Sequence, residues 1–117
     1  MWGIIGAAAA TFVLAAASQA EAQKPDVDAD LRCVAVLSVA ITNLQGEQRS
    51  GVIAGVMYFI GRIDGIAPDT DLRSELARVS NAMTPALIAS EADRCGAILS
   101  EKGDVLQNVG NALGAGK

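Results

Sequence analysis

The chain has 117 residues, with nine basic and thirteen acidic side chains, no histidine, two cysteines, and only one Trp, one Tyr and two Phe. That balance argues against nucleic-acid binding, which needs basic patches with interleaved aromatics, and it removes the commonest general base and zinc ligand. A net charge of −4 keeps a small protein soluble without implying a strongly charged partner.

Residues 1–22 read as a cleaved signal peptide. Ile4 to Ala16 is almost wholly apolar, and Ala20-Glu21-Ala22 fits a small-x-small cleavage site, with Ser18-Gln19-Ala20 as an alternative. Met1-Trp2-Gly3 departs from the pattern in carrying no Lys or Arg. The competing reading is an uncleaved anchor, but the apolar run is short for a span that needs about 20 residues. Only Glu21 among the charged residues lies in the leader, so the mature chain carries net −3. The expected compartment is the periplasm or the exterior. An even cysteine count there points to one disulfide, Cys33 to Cys95.

Residues 23–30, with Lys24-Pro25-Asp26, read as a flexible N-terminal arm, and residues 31–113 as a single helical domain. The first helix is expected to start at Asp28 or Asp30, either of which can act as an N-cap. Leu31, Val34, Leu37, Ile41 and Leu44 recur every three or four residues and share one face, and Gly46 supplies a stop. A second helix is predicted over Glu47 to Asp64, closed by Gly65, with Val52, Val56, Phe59, Ile60 and Ile63 as its apolar face. Ile53 and Met57 widen that face, which marks this helix as the central, most buried one.

Asp69 or Thr70 is expected to cap a short third helix through Leu72, Leu76 and Val79. Thr84-Pro85 opens a fourth, with threonine as cap and proline at the first helical position. That helix carries Leu87, Ile88, Ala92, Cys95, Ile98 and Leu99, then continues less securely past Gly103 through Leu106, Val109 and Leu113. Residues 114–117 form a frayed tail. No strand-period segment competes, and neither an internal repeat nor a low-complexity region stands out. The predicted fold is an all-α, four-helix domain closed by one disulfide.

A bond between Cys33 and Cys95 would close a loop of about 63 residues, which stabilises by roughly 4 kcal/mol in the chain-entropy model. A redox role is disfavoured because the two lack Cys-x-x-Cys spacing. Two thiolates without histidine do not complete a zinc site, and no cofactor or metal is expected. Asp64, Asp69 and Asp71, clustered around the turn after the second helix near Arg62 and Arg73, are the carboxylate candidates for a hydrolase. They read more simply as caps and solvated turn charges. No phosphate loop, nucleophile elbow or dinucleotide fingerprint occurs.

Gly51 and Gly55 are four apart, as are Gly61 and Gly65, and with Tyr58 they mark a face that admits close approach by another helix. Tight crossing within the domain is the favoured use, and a partner helix the alternative. Interior glycines weaken a helix by about 1 kcal/mol each, so close packing must offset them.

Tyr58-Phe59-Ile60-Gly61-Arg62-Ile63-Asp64-Gly65, placed between one early and one late cysteine in an exported helical chain, resembles a stretch of the HdeA-type periplasmic acid-stress chaperones. It is similar also to the Rap1a/Tai-type small periplasmic proteins and to small two-cysteine exported proteins of α-proteobacteria. The resemblance spans about residues 31–100 and implies the helical, disulfide-closed architecture. For the acid chaperones it further implies that protonation of carboxylates loosens the fold and exposes apolar surface for clients. The function expected from the chain as a whole is non-enzymatic: an exported structural or interaction protein that binds another protein. An acid-stress chaperone is the first alternative and a carboxylate hydrolase the second.

Overall fold

A computed structural model describes residues 26–115, so the leader, residues 23–25 of the N-terminal arm and Gly116-Lys117 lie outside the described residues. Within them the chain forms four α helices and no strand: α1 (Val27–Ile41), α2 (Gly46–Ile66), α3 (Leu72–Ala82) and α4 (Pro85–Ala115). The all-helical class and the four-helix order match expectation.

The helix α1 begins earlier than its capping candidates suggested. Asp26 is the N-cap, its carboxylate accepting a hydrogen bond from the Ala29 N–H at 3.2 Å. Residues 27–30 are therefore helical rather than part of an arm. Asp28 and Asp30 fall in the first turn, where the helix dipole favours negative charge, and each is engaged by an arginine from another helix. The helix ends at Ile41, before Leu44, and Thr42 caps it by turning its hydroxyl back to the Val39 carbonyl. Gly46 does not stop α1. It opens α2, in a left-handed conformation (φ 62°) that glycine adopts without steric penalty.

α2 is longer than expected, and Gly65 lies inside it. Asp71, not Asp69 or Thr70, caps α3, accepting from both the N–H and the hydroxyl of Ser74. The Thr84-Pro85 boundary holds: Thr84 Oγ1 accepts from the Leu87 N–H at 3.2 Å, and Pro85 occupies the first helical position. α4 then runs unbroken through Gly103 to Ala115, so Gly114 and Ala115 are helical rather than frayed.

The core joins Leu31, Val34 and Leu37 of α1 to Val56, Phe59 and Ile63 of α2, with Val79 from α3 and the two cysteines. α1 packs on each of the other three helices and is the hub. This corrects the expectation that the glycine-containing helix would be central. α2 buries a single stripe, while Ile53 and Met57 remain exposed, Met57 to 59%. Its low polarity reflects an uncovered apolar surface, not burial on most sides.

Candidate functional site

Cys33 and Cys95 are joined in a disulfide that links α1 to α4 with the Cα atoms 5.5 Å apart, and both side chains are fully buried. A charged shell surrounds it. Glu91, one turn before Cys95 and only 6% exposed, accepts from Arg32 Nε at 2.8 Å and from Arg94 Nε at 2.5 Å. Arg94 also donates to the Ala29 carbonyl at 2.9 Å and points Nη2 at Cys33 Sγ at 3.2 Å. Each cysteine is thus preceded in sequence by an arginine, Arg32 or Arg94, that grips the same carboxylate.

A second pair lies on the α2 side of α1. Asp30 is 2% exposed, and Arg62 Nε stands 3.1 Å from its Oδ2. That approach is off the angle of a hydrogen bond, so Oδ2 has charge compensation but no donor. Arg62 also lies over the Tyr58 ring, 5.8 Å from its centre, and reaches the phenol oxygen at 3.4 Å.

The two carboxyls respond to burial differently. Burial pushes Asp30 above its ordinary value of 3.8, and the pull of Arg62 and Arg94 does not overcome it. Burial also penalises ionised Glu91, yet hydrogen bonds from Arg94 and Arg32 hold its carboxyl below the usual 4.5. Two well-directed donors win over desolvation where one off-angle ion pair does not.

The glycine-marked face divides. At Gly55 an added Cβ would collide with the Leu99 side chain of α4, so this glycine does admit a close helix crossing. At Gly51, Gly61 and Gly65 an added Cβ would meet nothing, so the expected tight intramolecular packing is absent at all three. Beyond Gly55 the N-terminal half of α2 and the C-terminal half of α4 flank an open groove of about 210 Å³. It is lined by Gly51, Ala54 and Tyr58 on one side and Leu99, Gly103 and Leu106 on the other.

Every residue of α4 from Glu101 to Ala115 is exposed, including Leu106 at 72% and Leu113 at 70%. From Gly96 onward α4 carries a seven-residue repeat, Gly96 with Leu99, Gly103 with Leu106, and Gly110 with Leu113, the last two units lying in the exposed stretch. Glycine and leucine occur three apart in each unit and share one helix face.

Asp69 and Asp71 line an open surface depression between α1 and the start of α3, with Asp28 and Glu75, whereas Asp64 does not line it. Asp71 serves as the α3 cap, and its hydrogen bonds from Ser74 lower its pKa. The three carboxylates are not brought into one enclosed site. Cys33, Glu91 and Cys95 place potential metal-ligating atoms within 4.8 Å of one another, but both sulfurs are committed to the disulfide. Among the described residues no helix is long and apolar enough to cross a membrane.

Helical periodicity does not announce Asp30, Arg32, Glu91 and Arg94 as a cluster. The repeated Arg-Cys dipeptide was the available signal. The glycine–leucine repeat corrects the expectation of no internal repeat: Gly-Ala-Ile-Leu, Gly-Asp-Val-Leu and Gly-Asn-Ala-Leu align at positions 96, 103 and 110.

The fold and site define an all-α, disulfide-closed helical domain with a buried ionic shell at one end of α4 and an open apolar groove at the other. No protein-family model matches the sequence, and no curated protein or solved structure is significantly similar to it.

Proposed function

We propose that this is an exported, non-enzymatic interaction protein that uses the groove between α2 and α4 to bind another protein. The observation that carries this reading is the apolar groove itself, which no described part of the chain covers, beside a rigid disulfide-closed frame. Large exposed apolar patches on small proteins mark interaction surfaces. Export is supported by the leader-like N-terminus and by a buried disulfide, a bond that persists in oxidising compartments.

The test is capture from a periplasmic extract under oxidising conditions, comparing wild type with Ala54→Glu, which puts a charge on the exposed groove wall. A protein retained by wild type and lost with the variant supports the groove. An identical captured set with both removes it.

A second reading, the acid-responsive chaperone, is favoured by one specific feature: the ionic tie that supplements the disulfide between α4 and α1 centres on a carboxylate, Glu91, whose stabilising charge disappears in acid. It requires new dye-binding surface and protection of an aggregating client at about pH 2–3. No protection in that range removes it.

A further inference from the structure

The uncovered half of α4 continues a helix anchored upstream, and its own residues add little to hold it. A solvent-exposed segment of about 15 residues is marginal as an isolated helix even when rich in alanine. This one carries Gly103, Gly110 and Gly114, each weakening a helix by about 1 kcal/mol relative to alanine. Packing on it would offset that cost, and the repeat identifies what fits. In the first unit Leu99 already seats against a glycine, Gly55 of α2. The other two units present the same parts with nothing described against them: Leu106 and Leu113 as knobs, Gly103 and Gly110 as notches.

We propose that this segment pairs with the same segment of a second copy in antiparallel register, Leu106 of each helix seating on Gly110 of the other and Leu113 on Gly103. The proposal rests on the reading of this end of the molecule as a protein-binding surface, and it names the partner. Two helices of this sequence are self-complementary in one orientation. With Asn108 of both copies level, Gly103 lies opposite Leu113 and Leu106 opposite Gly110, so all four knobs and all four notches are used. A parallel pair would set glycine against glycine and leave a void at each such layer, forfeiting contact.

Charge selects the same orientation. Glu101, Lys102 and Asp104 lie in the first part of the segment, and Gln107 to Ala115 is uncharged. Antiparallel pairing lays the charged part of each helix along the uncharged part of the other, whereas parallel pairing stacks Glu101 and Asp104 beside their own copies. A contact between two short helices falls below the roughly 800 Å² per partner of a standard stable interface, so the dimer should dissociate at about micromolar concentration.

Sedimentation equilibrium on the purified oxidised protein tests this through a double-mutant cycle on two exposed positions, Gly103→Gln and Leu113→Gln. Within one copy these residues are too far apart along α4 to touch. They meet only across the antiparallel pair. Wild type should form dimers, each single variant should weaken them about tenfold, and the double variant should be little weaker than either single. Circular dichroism and melting of each variant confirm that the monomer fold is intact.

Additive losses in the cycle would overturn the register. A wild type that stays monomeric to about millimolar concentration would overturn self-pairing altogether, as would dimers indifferent to both substitutions. Gly103 and Leu106 also form the groove wall that faces Ala54, so self-pairing and capture of another protein share that wall. The two failures are told apart by the partner: a different protein lost with Ala54→Glu keeps the groove reading even where wild type stays monomeric.

Discussion

Glu91 is the main non-covalent tie at the α1–α4 junction, beside the disulfide. It is buried and accepts from two arginines, so removing its charge leaves Arg32 and Arg94 uncompensated beside the disulfide. Breaking a fully buried pair in this way costs about 3–5 kcal/mol. Both arginines are partly exposed, which screens the interaction, and Glu91→Gln should lower stability by about 2 kcal/mol in urea unfolding of the oxidised protein near neutral pH.

Because the folded carboxyl sits below its usual 4.5, its contribution is present above that value and is lost as pH falls through the folded pKa. Wild type and Glu91→Gln should therefore converge in acid. Asp30 behaves in the opposite sense. Its folded pKa is raised above 3.8, so its contribution is full below that value and declines as pH rises through the folded one. Asp30→Asn should accordingly cost less at neutral pH than Glu91→Gln, about 1 kcal/mol or less. A larger loss for Asp30→Asn in the same unfolding series would show that the off-angle Arg62 pair outweighs desolvation.

Among the elements, α2 shows most clearly what a glycine does. At Gly51 and Gly61 there is room for a methyl group, and alanine at either should raise stability by up to about 1 kcal/mol through helix propensity alone. At Gly55 the same change presses on Leu99, so alanine should gain nothing, and valine should destabilise by about 1–3 kcal/mol. Thermal melts of the four variants check the ranking. The spacing of these glycines was legible in the sequence, but which one meets a neighbour was not, because that depends on where α4 crosses.

The caps were half legible for a related reason. Thr84-Pro85 is unambiguous, since proline tolerates almost no other helical position. Asp26, Asp28 and Asp30 are all competent caps, as are Asp69, Thr70 and Asp71. Arginines on other helices settle the first choice by engaging Asp28 and Asp30, and Ser74 settles the second by donating to Asp71. The apolar stripes of α1 and α2 were readable from their period. Low polarity alone, however, made α2 look central when its Met57 face is open.

At the scale of the whole molecule, α4 is held at one end and free at the other. Near its start it is tied to α1 by the disulfide and by Glu91; past Leu99 it leaves the bundle. The closed loop has a sequence separation of 62, so reduction should lower stability by about 4 kcal/mol in the chain-entropy model, read as a shift of the urea midpoint. The cysteine pairing was legible from the count of two. The open end was not, because an apolar helical stripe reads the same whether the chain or a partner covers it.

Hydrogen exchange resolved along α4 tests this division most directly. In the dilute, oxidised protein, amides from Ala92 to Leu99 should exchange slowly and those from Asp104 to Ala115 faster by orders of magnitude, with the second group slowing when a partner docks. Uniform slow exchange along the whole helix, unchanged by dilution, would contradict a free, partner-ready end.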